Sequence, residues 1–518
     1  MSVSEFCDNP SERSHAAYRS AMWALAAPEY SEGEDLLASA YRGLLLGIQD
    51  NAVDKRWIKD LPETVNDEWG GRTLWEGLLR HTGGLASPSR KETRSAPGER
   101  LPELMPLVPK VGYYAGVRGK FGRGRWYPAN LLLQVFGAGL GHAAGTVGVQ
   151  DFSETLRVDV DDDVVARFIE RAIPAMSPPA AAKRLSLSAE HCVAFRGPAD
   201  AILPRIPAEA FCCDIASLNG LKRKLTRRQW TVLCEALIRL GLATHVLWVC
   251  HANSESWHMV LDVAAGGAVP STNEIQKRIW CDKTRGPHLL ELGRDSNVLI
   301  KGWLERYVYA RIGLNLCLHK LEDAGCKWAG GIIGHDTSTG RRADQAMHDF
   351  LAYVATHRLS VHASDPAGWL KNECTTLSDK RLDLVRADQG FTRNMRFFLQ
   401  YGLGQIDTQD PDLKEYDQSY LVTKRGRTSA MTRPVEPGPA MLIALVHACC
   451  HSRRYEEREL PASIEDLAEH LGAYGLQAPA GELLTGAVGV ALERLGLVVD
   501  SPDAAGGRLL VAPFGLIP

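Results

Sequence analysis

The stretch Lys222-Arg-Lys-Leu-Thr-Arg-Arg-Gln-Trp-Thr-Val-Leu-Cys-Glu-Ala-Leu-Ile-Arg-Leu-Gly-Leu-Ala-Thr-His-Val-Leu-Trp-Val-Cys250 decides how the middle of the chain is read. Thr226 and Gln229 stand at the spacing of a capping box, in which each side chain satisfies the other's backbone amide, so a helix is predicted to begin at Arg227. Trp230–Leu240 then carries apolar residues at helical spacing. After Gly241 the continuous apolar run Ala243–Cys250 has the length and content of a buried strand. Met259–Ala264 and Trp328–Ile333 read the same way, and the amphipathic stretches Trp303–Leu321 and Asp344–His357 alternate with them. Residues 188–425 are therefore expected to form a central mixed α/β domain.

Working outward, residues 1–86 read as a helical region, with Leu36, Leu37, Tyr41, Leu44 and Leu45 at helical spacing and a stop at His81-Thr82-Gly83-Gly84. Ser87–Pro109 combines charge with repeated proline, which removes amide donors and apolar side chains together, so a linker or surface loop is expected there. Similar breaks run from Pro174 to Ser186 and from Gly426 to Pro439. Residues 110–173, between the first two breaks, read as a glycine-rich basic and aromatic segment with a small α/β region. At 518 residues the chain is too long for one hydrophobic core. The whole is expected to be an α+β, predominantly helical, multi-domain protein.

The last segment, residues 439–518, is the most legible. Pro439–Cys450 reads as an apolar helix, and Ser463 with Asp466 caps a second one. Ala480–Leu495 reads as a third helix, and Leu497–Asp500 and Arg508–Ala512 as two strands about a glycine-rich turn. Three helices followed by a two-stranded wing resembles a winged helix-turn-helix. In versions that read DNA the third helix presents Arg, Lys, Asn or Gln to the major groove. Here Gly481–Arg494 offers only Thr485 and Arg494, which points to a winged-helix-like domain that contacts other protein subunits.

Composition narrows the class. With 45% hydrophobic and 23% charged residues, global disorder, collagen and a coiled-coil rod are excluded, and a net charge of -3 excludes a uniformly basic nucleic-acid coat. The first thirty residues lack the basic-then-apolar pattern of a secretion signal. The longest uncharged stretch, Trp126–Gln150, is interrupted by Pro128, Asn130, Gln134, His142 and several glycines, so no membrane span is expected. The 12 cysteines are scattered singly or in adjacent pairs rather than spaced as a disulfide scaffold. A reducing cytoplasm is the expected compartment.

Two basic clusters are the candidate functional residues. Lys110–Tyr127 holds Lys110, Arg118, Lys120, Arg123 and Arg125 among five aromatics including Trp126, with no carboxylate. Cations attract phosphate, rings stack on bases and glycines allow close approach, a combination that suits nucleic acid. The second cluster, Lys222, Arg223, Lys224, Arg227 and Arg228, puts five positive charges at the start of a helix. That opposes the helix dipole and calls for a nearby anion, either a bound phosphate or an acidic partner.

Other patterns carry less. Gly139, Gly141 and Ala144 fit G-x-G-x-x-A, with Asp159 twenty positions after Gly139, yet no series of βα repeats follows and a glycine-rich packed helix is the expected reading. His335 and Asp336, before a basic loop, are the alternative catalytic pair of a metal-dependent nuclease or phosphohydrolase. His447 and His451 with Cys450 lack the further ligand pair of a zinc site, and Val422 stands where the second carboxylate of a nuclease motif built on Asp412 and Asp417 belongs. Asp159, Asp161, Asp162 and Asp163 read as the acidic start of a helix over Val164–Ala172. No cofactor and no metal are expected. The leading expectation is a non-catalytic, nucleic-acid-associated adaptor subunit of a bacterial DNA-processing or anti-phage defence assembly. A protein scaffold without nucleic-acid contact is the third reading.

Overall fold

The structure is a computed structural model that describes residues 36–47, 86–87, 103–104, 107–110, 128–172, 186–187, 206–280, 287–323, 325, 343–357, 390–405, 417–426, 431–455, 461–500 and 508–514. Helices dominate, joined by a few short strands. In chain order they are α1 (Leu36–Ala40, continuing as a π-turn over Tyr41–Leu46), α2 (Pro128–Leu156), α3 (Val164–Ala172), α4 (Pro207–Asn219), α5 (Arg227–Ala264) and α6 (Thr272–Trp280). There follow α7 (Ser296–Asp323), α8 (Ala343–Thr356), α9 (Gly390–Leu403), α10 (Pro439–Tyr455), α11 (Ile464–Ala473), α12 (Ala480–Leu484) and α13 (Ala487–Arg494). The strands are β1 (Ala86–Ser87), β2 (Glu103–Leu104), β3 (Leu290–Glu291), β4 (Leu476–Gln477), β5 (Val498–Asp500) and β6 (Arg508–Leu510).

The main correction to the sequence reading is α5. Ala243–Cys250 and Met259–Ala264, expected as strands, lie inside one helix of 38 residues. Its start is as expected: Gln229 N donates to Thr226 Oγ1 at 3.3 Å while the Gln229 side-chain oxygen accepts from Thr226 N at 3.0 Å. Gly241 does not end the helix, because its missing side chain is what lets α5 approach α4. A Cβ there would lie 2.6 Å from Phe211 Cγ. A helix apolar on all sides must be covered on all sides, and α5 packs against α1, α2, α4, α6, α7, α8, α9 and α10. Three of its buried polar side chains bond their own helix: Thr244 Oγ1 to Leu240 O at 2.7 Å, Asn253 Nδ2 to Val249 O at 2.9 Å and Ser256 Oγ to Ala252 O at 2.7 Å.

One contiguous apolar core links these elements, from Leu36 in α1 to Leu510 in β6. Within residues 110–173 the described elements are the helices α2 and α3, and residues 111–127 lie outside the described residues. Gly141 adopts φ 75° and kinks α2, and a Cβ on Gly139 would lie 2.8 Å from the Ala208 carbonyl carbon of α4. The G-x-G-x-x-A pattern is thus a packing contact. Within the expected Ser87–Pro109 loop, Ala86 and Ser87 pair antiparallel with Leu104 and Glu103.

The chain before α10 is more than a linker. Val435 is buried and bridges to both Leu292 and Val422, while Leu290 and Glu291 pair in parallel with Leu476 and Gln477. These pairings stitch the C-terminal elements to α7 and the centre of the protein. Among the described residues one helix, α5, is long and apolar enough to cross a bilayer, and 94% of its most apolar window is buried inside the protein.

Candidate functional site

The second basic cluster finds its counter-ion within the chain. The acidic run Asp159–Asp163 lies beside the start of α5. Asp163 caps α3, with Ala166 N donating to Oδ1 at 2.8 Å, and its Oδ2 accepts from Arg227 N at 2.7 Å. One carboxylate therefore sits where the positive ends of two helix dipoles meet. Lys222 Nζ donates to Asp159 Oδ2 at 2.7 Å and to Arg157 O at 2.6 Å, and lies 3.6 Å from Asp162 Oδ2. Arg223 lies 3.9 Å from Asp161, with both side chains largely exposed.

Arg227 is only 1% exposed. Its Nε donates to Leu107 O at 3.1 Å, Nη1 to Arg157 O at 3.1 Å, and Nη2 to Leu156 O and, at 3.1 Å, to Tyr41 Oη. The guanidinium also stacks over Trp230, 4.9 Å from the ring centroid. The last carbonyls of α2 thus receive a cation at the negative end of that helix. Burial pushes the Tyr41 phenol up to about 12, against the opposing pull of Arg227. A guanidinium with these partners serves the fold, and no phosphate reaches it in this arrangement. Lys224 and Arg228 are at the surface.

In the first cluster, Lys110 Nζ donates to Glu170 O at 2.6 Å at the end of α3. Arg118, Lys120, Arg123, Arg125 and Trp126 lie outside the described residues, as do His335, Asp336 and Asp412. Asp417 is buried, its two oxygens each 3.2 Å from Arg239 Nη1. Arg239 in turn donates to Glu235 Oε1 at 2.9 Å, and Glu235 Oε2 accepts from Leu37 N at 2.9 Å. This buried triad anchors α1 and the 417–420 segment to α5, and it accounts for an aspartate that the nuclease pattern had singled out.

Sequence reading missed a polar joint between α4 and α11. His470 Nε2 lies 3.0 Å from Asp214 Oδ2, and Tyr474 Oη donates to the same oxygen at 2.7 Å. Burial, then Asp214, raises the Tyr474 phenol. His447 of α10 lies beside this joint; burial first, then the neighbouring His451, lowers it to about 4, while Asp214 acts in the opposite sense. The rings of His447 and His451 are 6.0 Å apart, and burial pushes the Cys450 thiol up to about 11. Among the described residues no group of three or more His, Cys, Asp or Glu is arranged to hold a metal ion.

The C-terminal elements run helix, helix, short strand, broken helix, strand, strand. Ser463 caps α11, with Asp466 N donating to Ser463 Oγ at 3.3 Å and Ser463 N to Asp466 Oδ2 at 2.7 Å. The expected third helix is split into α12 and α13 at Thr485-Gly486. Val498, Val499 and Asp500 pair antiparallel with Leu510, Leu509 and Arg508, while Leu510 N donates to Ala462 O at 2.7 Å, so the chain before α11 adds a third lane to the hairpin. Arg508 binds Glu493 of α13 and Asp500 of β5 and donates to Leu484 O of α12 at 2.8 Å, tying the hairpin to both helix pieces. Outward on α13 stand Ala487, Val490, Glu493 and Arg494. No protein-family model, curated protein or solved structure matches this chain.

Proposed function

We propose that the chain is a non-catalytic adaptor whose C-terminal module, a winged helix by its order of elements, docks a protein partner, while nucleic-acid contact falls to residues 110–127. The observation that carries the docking half is the outer face of α13. It offers Ala487, Val490 and Glu493, with Arg494 as its single cation, where a base-reading helix needs several polar and cationic side chains. The described part of the module, residues 439–455, 461–500 and 508–514, holds six carboxylates and four arginines, a slightly negative balance that does not favour phosphate.

Supporting the other half, the cations of residues 222–227 are largely matched by Asp159–Asp163, which leaves the carboxylate-free 110–127 stretch as the strongest basic segment of the sequence. A bacterial DNA-processing or defence assembly is the setting in which an adaptor of this kind has a use. Photo-crosslinking tests both halves. With a photoreactive amino acid at Val490, adducts that survive nuclease and are removed by protease are expected. With one at Phe121, nuclease-sensitive adducts are expected. Nuclease-sensitive adducts at Val490, or none at either position, overturn the reading.

A further inference from the structure

The C-terminal hairpin leaves one edge open. Val511 N donates to Leu497 O at 2.9 Å, and Leu510 N donates to Ala462 O at 2.7 Å. Hydrogen-bonded and non-hydrogen-bonded pairs alternate along an antiparallel ladder, so these two bonds fix its phase. Leu497 and Val499 turn their backbone groups toward β6, and Val498 and Asp500 turn theirs the other way. Ser463 bridges to Leu509 and so covers the far side of β6, whereas no strand among the described residues covers the far side of β5. A row of amide and carbonyl groups of this kind is a template for one more strand.

The side chains around the edge say which strand fits it. Val499 is 50% exposed and Val511 36%, and the period of two puts both, with Leu509, on the face of the hairpin turned away from the buried Leu510. On the other face Arg508 stands between Glu493 of α13 and Asp500 of β5, whose side chain is 85% exposed. Two carboxylates share that one guanidinium, and Arg494 is not among their partners. Residues 501–507 add Asp503 and no cation. The edge therefore keeps a net negative charge. A second copy of this chain would bring four carboxylates to two arginines, so the charges favour a basic occupant over a copy.

Resting on the reading that this module docks a protein, we propose that the β5 edge takes up an extended segment of the partner as an added antiparallel strand, with a Lys or Arg of that segment opposite Asp500 and an apolar side chain opposite Val499. The apolar side chain extends the row formed by Val499 and Leu509. Residues opposite Val498 and Asp500 make the hydrogen-bonded pairs, so the amides that bind belong to the basic positions of the segment. So short an edge is small beside a standard interface, and an isolated peptide binds it with a Kd on the order of 100 μM.

Fluorescence anisotropy of short labelled peptides with the full chain is the test. A peptide of alternating Lys and Val is expected to bind, and its Glu-Val counterpart about tenfold more weakly. N-methylation of the Lys amides removes the donors and is expected to abolish binding, while N-methylation of the Val amides, which point away from β5, changes it by about twofold or less. Val498→Pro removes an edge amide that β6 does not use and is expected to weaken binding about tenfold with the circular dichroism spectrum unchanged. Asp500→Lys inverts the preference between the two peptides. No binding at millimolar peptide, or binding indifferent to which amides are methylated, overturns the proposal without touching the protein's fold. Protein adducts at Val490 with no peptide bound at β5 sink the added strand and leave the docking reading standing. A dimer of the chain that Val498→Pro dissolves makes a second copy the occupant and overturns the proposal as well.

Discussion

Replacing Arg227 with methionine separates a structural cation from a ligand-binding one. Methionine keeps much of the stem volume, so the loss is that of the donors. The carbonyls of Leu107, Leu156 and Arg157 and the Tyr41 hydroxyl then lose a partner in a buried setting. Asp162, 3.8 Å from the guanidinium, keeps Lys222 at 3.6 Å, so no carboxylate is left wholly unpaired. Each buried acceptor deprived of its donor costs about 1–3 kcal/mol, and partial relaxation lowers the sum, so a loss of about 3–5 kcal/mol is expected. Thermal melting by circular dichroism reads this as a drop of about 5–10 °C. Arg227→Lys is expected to recover only part, because a single ammonium cannot reach acceptors on several sides at once. A methionine variant that melts within about 1 °C of the wild type would refute the reasoning and return Arg227 to the solvent-facing cations.

Further expectations concern the buried histidines, the helix contact and the joint. Burial lowers both His245 and His447 to about 4, from an unfolded value near 6.5, so the unfolded chain binds more protons between those values. Stability is fully held above about pH 6.5 and falls as pH drops toward 4, by up to about 3 kcal/mol for each histidine; urea titrations at pH 7.5 and 5 check this, and equal midpoints would contradict it. Gly241→Ala gains about 1 kcal/mol of helix propensity but drives a methyl into the Phe211 ring, so net destabilisation of about 1–3 kcal/mol is expected from denaturation midpoints. Asp214→Ala leaves Tyr474 and His470 without their shared acceptor and is expected to speed hydrogen exchange in α11 and β4 at least tenfold, with α7 unchanged. Unchanged exchange in α11 would show that the joint does not hold the C-terminal module.

What was legible in the sequence was local. The boxes at Thr226 and Ser463 depend on side chains three residues apart, and both formed as read. The hairpin after α13 and the start of α3 at Val164 were legible for the same reason. The apolar run 243–250 was not, because a fully buried helix and a fully buried strand present the same uninterrupted pattern, and Gly241 had to be explained by a contact with Phe211 thirty residues away. The neutralisation of Lys222 and Arg227 by Asp159–Asp163 is likewise non-local. Its only trace in sequence is that a dense acidic run and a dense basic run both stand at helix starts, each wanting what the other supplies. The parallel pairing of Leu290 with Leu476 left no trace that pattern reading could find.

The adaptor reading is tested most directly by binding of the purified chain to single- and double-stranded DNA and RNA across a salt series, with two variants alongside. One carries Arg118, Lys120, Arg123 and Arg125 all changed to Ala, the other Arg223→Ala with Arg228→Ala. The expected result is salt-dependent binding by the wild type, a slope of log affinity against log salt reduced by about 3–4 in the first variant, and a change of less than about 1 in the second. Binding that survives the first variant and collapses in the second, or no binding at low salt, would contradict a nucleic-acid surface at residues 110–127.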